Sequence, residues 1–301
     1  MSDIALLGLG YSGRAIAAAA HEDGLSLVAT AREPGRVVGP DYVDLRDFQA
    51  VDAVIGQVSA LVVTAAPGEA GDPVLARYRP VIAAAVQAGT LRWIGYCSTT
   101  GVYGDRGGGA VDEASDVAPG SARTVRRVAA ECDWAGFGAD CAVDIMRLAG
   151  IYGPGRSVFD DLRAGAARRI DKPGHVFSRI HVDDIAAGVM AARRMAGRAG
   201  VRVLNFADDE PAPSAEVVAY AAGLLGMTPP PLVPFAEAAA TMSPMALSFW
   251  RENRLVLSTQ TKAALGINWR YPTYRVGLAA ILAAEAASCA SSQALRGKPP
   301  L

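Results

Sequence analysis

Six residues near the N-terminus, Gly8-Leu9-Gly10-Tyr11-Ser12-Gly13, set three glycines at the spacing G-x-G-x-x-G. They follow the apolar run Ile4 to Leu7 directly and open an alanine-rich stretch, and that context gives the pattern its meaning. A strand entering a helix through such a turn presents the amides around Tyr11 and Ser12 to an anion. Gly8 permits the tight turn, Gly10 lets a pyrophosphate approach the backbone, and Gly13 lets helix pack closely on strand. The expected ligand is a dinucleotide; the alternative is an ordinary glycine-rich turn.

At the end of the second strand-like run the sequence reads Ala29-Thr30-Ala31-Arg32, where a carboxylate for ribose hydroxyls would suit NAD(H). Arg32 suits a 2′-phosphate and favours NADP(H) over NAD(H). Arg36 would assist, Glu33 would oppose if it pointed inward, and a solvated Arg32 stays open. Asp44, followed by Leu45, stands where an adenine-contacting carboxylate would lie, with a plain acidic loop residue as the alternative.

The elements that must hold these groups read as an α/β fold. Short apolar runs at Ile4 to Leu7, Leu25 to Thr30, Leu61 to Ala65, Arg92 to Cys97 and Cys141 to Arg147 have the character of buried parallel strands. Helical stretches at Ser12 to His21, Tyr78 to Ala88 and Ala122 to Ala135 are long enough for right-handed crossovers, predicting a doubly wound Rossmann sheet in residues 1–150. Beyond Gly150, turn-rich segments separate helices at Asp183 to Ala196, Ser214 to Leu225 and Thr273 to Ala287. Residues 151–182 and 207–287 form a smaller C-terminal substrate-side lobe, residues 183–206 return to the core through Val201 to Phe206, and the polar tail 288–301 frays.

With 301 residues, 51% of them hydrophobic, the chain can bury a large core, and a formal net charge of −1 gives no field for nucleic acid or an anionic membrane. A small-molecule partner is expected. The four cysteines form no C-x-x-C pair and no metal-ligand spacing, so a metal is not expected. The start lacks a basic leader region and no apolar run reaches the roughly 18 to 20 residues a bilayer requires, which predicts a cytoplasmic protein.

Four further stretches resemble, in order and spacing, the extended short-chain dehydrogenase/reductase superfamily, which includes NAD-dependent epimerases and dehydratases. They are Thr64-Ala65-Ala66-Pro67, Ser98-Thr99-Thr100-Gly101-Val102-Tyr103-Gly104, Arg147-Leu148-Ala149-Gly150-Ile151-Tyr152-Gly153-Pro154-Gly155 and Arg179-Ile180-His181-Val182-Asp183-Asp184-Ile185-Ala186. The ending, Asn253-Arg254 through Leu265-Gly266 to Tyr271-Pro272-Thr273-Tyr274-Arg275-Val276-Gly277-Leu278, is similar to an atypical subgroup. The resemblance implies that Ala65 and Ala66 line the cofactor path, Ser98 and Thr99 flank the nicotinamide, and the Tyr152-Gly153-Pro154 turn closes over the cofactor. It also implies dimerisation through helices of the Rossmann half. His181 reads as a packed or helix-entry residue rather than a catalyst.

One departure decides the chemistry. Active members set a tyrosine and, four residues later, a lysine on one helix face, so that the phenol moves a proton as hydride transfers. Counting back eight from Glu131 places Arg123 at the tyrosine position and Arg127 at the lysine position, and arginine cannot act as an acid or base near neutrality. Either another group such as Tyr103 handles the proton, or the chain binds NADP(H) as a non-catalytic sensor or scaffold. Arg123, Arg126, Arg127, Arg147 and Arg156 would make an anion site if they converge, for a substrate carboxylate or phosphate or for the nearby Asp112, Glu113 and Asp116. Solvated surface arginines are the alternative. Reduction of a carbonyl by NADP(H) is the leading function. A nucleotide-sugar epimerase or dehydratase is the alternative enzyme, favoured by a groove lined with Arg156, Arg179 and Arg254.

Overall fold

The computed structural model describes residues 2–31, 42–44 and 46–296. In chain order the first half runs β1 (Ile4–Leu7), α1 (Tyr11–Glu22), β2 (Leu27–Ala31), β3 (Tyr42–Asp44), α2 (Phe48–Ile55), β4 (Ala60–Val63), α3 (Pro73–Gln87), β5 (Trp93–Thr99), β6 (Ala110–Val111) and α4 (Ala122–Ala135). There follow β7 (Ala142–Leu148), β8 (Gly150–Tyr152), α5 (Val158–Arg163), β9 (Arg169–Asp171), β10 (Arg179–His181), α6 (Val182–Arg194) and β11 (Gly200–Phe206). The chain ends with α7 (Ser214–Leu224), β12 (Leu232–Pro234), α8 (Phe235–Ala239), α9 (Pro244–Arg251), β13 (Leu255–Val256), α10 (Thr259–Leu265) and α11 (Tyr274–Arg296).

Seven strands form a parallel sheet in the order β11-β7-β5-β4-β1-β2-β3, the doubly wound arrangement with its switch beside β1. Strand side chains alternate between two cores, one on each face. Ile4 and Leu6 pack on one side with Ile16 and Val189, while Ala5 and Leu7 pack on the other with Ile82 and Ile94. Both faces are covered by helices, which is why β1 and β4 read as unbroken apolar runs.

The returning strand expected at Val201 to Phe206 is β11, paired along its length with β7. Asp44, open to a loop reading from the sequence, instead ends the edge strand β3: pairing with β2 overrides the weak local signal of three residues. The helix expected from Tyr78 begins five residues earlier, because Asp72 caps it by accepting from the amides of Val74 and Leu75 and Pro73 fills its first turn. The last helix continues to Arg296 rather than stopping near Ala287.

The C-terminal lobe has a separate core of Phe159, Leu162, Val217, Ala221, Tyr274 and Ile281, drawn from α5, α7 and α11. It is tied to the sheet at the start of α6, where the buried Asp184 carboxylate accepts from the amides of Arg270 (2.7 Å) and Tyr271 (3.0 Å). Among the described residues no helix is long and apolar enough to cross a membrane.

Candidate active site

The glycine turn has the shape its sequence predicts, with a different reason at each glycine. Gly8 sits at φ +118°, and a side chain there would meet the Thr64 hydroxyl, which donates to the Gly8 carbonyl at 2.6 Å. A Cβ on Gly13 would lie 2.3 Å from the Gly8 carbonyl oxygen. Around Gly10, by contrast, a Cβ would meet nothing within 4 Å, and this residue opens α1 with no side-chain cap. An uncapped helix start beside open space fits a dinucleotide pyrophosphate.

Tyr11, in the first turn of α1, donates its phenol to the Pro154 carbonyl at 3.1 Å, and Gly153 passes so close that a Cβ would fall 2.5 Å from that phenol. The structure thus brings Tyr11, Gly153 and Pro154 together across 143 residues. Ser12 follows in the same helix turn, and Ala65 and Ala66 follow β4, with the Ala65 amide beside Gly8. Arg32, Glu33, Arg36 and Leu45 lie outside the described residues. Asp44 is no free loop carboxylate: it ends β3 and accepts from Arg46 through the amide and guanidinium, as close as 2.7 Å, which holds its carboxyl down at about 2.

A cavity of about 740 Å³ opens at the C-terminal ends of β5 and β7, between the sheet and the smaller lobe. Ser98, Thr99, Arg123, Arg127, Tyr152 and Arg156 all line it, joined by Arg179 and Arg254. A crevice at this end of a parallel sheet is where α/β proteins bind ligands.

No family model matches the chain. A conserved protein of unknown function from Silicibacter pomeroyi DSS is 40% identical over 95% of this chain and 99% of its own, with a TM-score of 0.83. The two belong to one family. MoeE5, solved with UDP-glucose and NAD, is 21% identical with a TM-score of 0.74, covering 95% of this chain and 99% of its own. A human epimerase family protein, SDR39U1, solved with NADPH, is 18% identical with a TM-score of 0.73, covering 92% and 98%. The chain therefore has the fold that MoeE5 and this epimerase family protein share. A curated Streptomyces protein, a 3-diazoavenalumate denitrifying reductase, is 31% identical over 173 residues. That match spans about half of each protein, 53% of this chain and 53% of the relative.

Several polar groups around the cavity are already committed within the protein. Ser98 donates its hydroxyl to Glu131, whose carboxylate also receives the Arg147 guanidinium at 2.8 Å in a pair with both side chains only 8% exposed. Arg147 is therefore not part of an anion surface, and Arg126 is not among the lining residues either. Thr99 lines the cavity and accepts from the Gly101 amide at 3.1 Å, with no acceptor for its hydroxyl among the described residues.

Tyr103, a candidate proton donor in the sequence, does not line the cavity. It is 0% exposed and absent from the cavity wall, and its phenol donates to Asn205 Oδ1 at 2.8 Å while Arg147 stacks on its ring. Burial raises its pKa further from neutrality. Tyr103→Phe is expected to cost about 1 to 2 kcal/mol of stability, because it strips a buried amide oxygen of its donor. NAD(P)H affinity should stay unchanged in a titration of the same variant, and a large loss there would restore a role at the site.

The remaining polar groups divide between structure and cavity. His181 is the N-cap of α6, its Nδ1 accepting from the Asp183 amide, which makes it the helix-entry residue the sequence suggested. Tyr152 packs its phenol against Gly277, where a Cβ would lie 2.1 Å away, and burial raises its pKa. Asp208 is buried near Arg179, and burial pushes its carboxyl up to about 8. Asp112 and Glu113 bind Ser115, Gln260 and Thr261, leaving the cavity arginines uncompensated from that side. The aromatic wall formed by Phe177, Phe249 and Trp250 was missed by the sequence reading; its only signal was the apolar cluster of Phe249-Trp250 beside Arg251.

Proposed function

We propose that this chain is a cytoplasmic NADP(H)-dependent reductase that adds a hydride to a carbonyl on a small anionic molecule. The observation that carries this reading is the arginine-lined cavity at the C-terminal strand ends, on the same side of the sheet as the uncapped start of α1. The free thiols of Cys97, Cys132 and Cys141, the solved relatives that hold NAD or NADPH, and the reductase named among the relatives support it. The homodimer expected through the Rossmann helices belongs to the same proposal.

A bound nicotinamide would supply the hydride. The chain's own groups then divide the remaining work. Thr99 donates its hydroxyl to the carbonyl oxygen and fixes its position. Guanidinium groups stabilise the negative charge that grows on that oxygen, and the proton comes from water, since no arginine releases one near neutrality.

The alternative, an epimerase or dehydratase of a nucleotide-linked sugar, is favoured by the presence of Arg156, Arg179 and Arg254 in the cavity. Against it, Arg179 donates to the carbonyls of Phe177 and Ala212, and Arg254 to Gly104 and Glu252, so both are largely committed within the protein.

A fluorescence titration with NADPH and NADH, on the unmodified protein and on Arg32→Ala, tests the cofactor. Loss of a charge-assisted hydrogen bond worth about 1.5 to 3 kcal/mol should weaken NADPH roughly ten- to a hundredfold and leave NADH unaffected. Equal binding of both, indifferent to Arg32, removes NADP(H) from the reading. NADPH oxidation with small oxo acids then tests reduction itself, and the absence of turnover across them would favour the sensor.

A further inference from the structure

Five arginines line the cavity, and they are not equivalent. Arg127 donates to the Tyr96 hydroxyl (3.0 Å) and the Cys97 carbonyl (2.9 Å), while Arg179 and Arg254 are committed as described above. Arg156 stacks on Tyr11, which places it on the side of the glycine turn. Arg123 takes no carboxylate or carbonyl acceptor among the described residues and lies 4.8 Å from the ring of Phe249, on α9. Arg156 likewise has no such acceptor among the described residues, so of these two guanidiniums Arg123 is the one beside the aromatic wall.

The wall beside Arg123 is aromatic. Phe249 is 48% exposed, and next to it Phe177 and Trp250 meet edge to face at 5.0 Å. Such a wall gains from a flat partner that covers it by stacking. Among the described residues the single carboxylate lining the cavity, Glu252, is paired with Arg254 at 2.7 Å. With Arg156 over at the glycine turn, the one guanidinium at the edge of the aromatic wall, Arg123, matches one carboxylate carried on one ring.

We propose that the substrate is an aromatic monocarboxylate, its carboxylate held by Arg123 and its ring laid on the wall of Phe177, Phe249 and Trp250. The inference rests on the reductase reading for its setting, but it concerns binding and is tested without turnover. A fork of two parallel N–H donors suits a carboxylate, and the neighbouring ring orients the guanidinium plane before the ligand arrives. The other charge-bearing arginines would repel a cationic ligand and tolerate an anionic one.

The test is isothermal titration calorimetry of benzoate, 2-naphthoate and cyclohexanecarboxylate into the protein, followed by UDP-glucose as competitor. 2-Naphthoate is expected to bind with a Kd on the order of 1 mM or tighter, with cyclohexanecarboxylate about tenfold weaker. Arg123→Gln should weaken 2-naphthoate about tenfold or more, and Phe249→Leu should erase the preference for the flat ring. Both side chains lie at the surface, and an unchanged circular dichroism spectrum and melting temperature establish that the variants are folded. Binding that ignores Arg123, no binding of 2-naphthoate, or its displacement by UDP-glucose overturns the proposal. Failure here with NADPH still bound leaves the reductase reading standing. Carboxylate binding as expected with no NADPH binding leaves this site standing and removes that reading.

Discussion

Replacing Glu131 by alanine is expected to destabilise the protein by about 3 to 5 kcal/mol, read as a shifted midpoint in equilibrium urea unfolding. Its carboxylate sits between the Ser98 hydroxyl and three contacts from Arg147, two at 3.2 Å from Nε and one at 2.8 Å from Nη2. Removing it leaves a guanidinium that cannot discard its charge in a place with almost no water, beneath the ring of Tyr103 at 4.7 Å. The pair itself need not favour folding strongly, because burying both ions carried a desolvation cost. Glu131→Leu combined with Arg147→Met should therefore recover most of the loss. A surface pair offers the contrast: Arg79 and Asp133 approach to 2.9 Å but are about half exposed, and Asp133→Ala should cost less than about 1 kcal/mol. If Glu131→Ala proved as mild as Asp133→Ala, the buried network would not hold β5, α4 and β7 together as described.

Gly13→Val and Gly10→Val are expected to fail in opposite ways, although both change a glycine of one turn. At Gly13 the new Cβ would collide with the Gly8 carbonyl at 2.3 Å, backbone against backbone, so no flexible side chain can move aside. Either α1 lifts from β1 or the turn opens, and we expect several kcal/mol of destabilisation or failure to fold, seen as a lost thermal transition. At Gly10 the Cβ enters open space at φ −85°, a conformation valine adopts, so the melting temperature should change little. The side chain would occupy the space a pyrophosphate needs, and NADPH affinity should fall by about a hundredfold or more in a fluorescence titration. Unchanged affinity in Gly10→Val would mean that the uncapped helix start is only a turn. The two variants together separate the glycine the fold requires from the glycine the ligand requires.

Much of this protein is determined by its sequence within short windows. The apolar runs that became β1, β2, β4, β5, β7 and β11 are legible because a parallel strand covered on both faces needs nothing but apolar side chains over a few residues. The glycine turn is legible for the same local reason: Gly8 and Gly13 are dictated by contacts with one another and with the adjoining strand end. The pair Arg123 and Arg127 could be located at one helix face by its spacing of four, and the start of α4 at Ser121 follows from its side-chain cap. The three-residue strand β3 and the shape of α9 carried no comparable local signal, since pairing and packing partners define them.

Only the tertiary structure decided what each polar side chain faces. Tyr103 follows the strand of Ser98 in sequence, yet its phenol is taken by Asn205, 102 residues away, and so it left the candidate chemistry. Arg147 and Arg123 are the same residue type, but Glu131 neutralises one in the interior while the other meets Phe249 from a lobe 126 positions further on. A side chain's charge is set by its chemistry, whereas its solvation and partners are set by whatever distant segments pack around it. Backbone conformation is limited by sterics acting over a few residues and can be read locally; electrostatic environment is a sum over everything nearby in space, and only the folded chain brings those terms together.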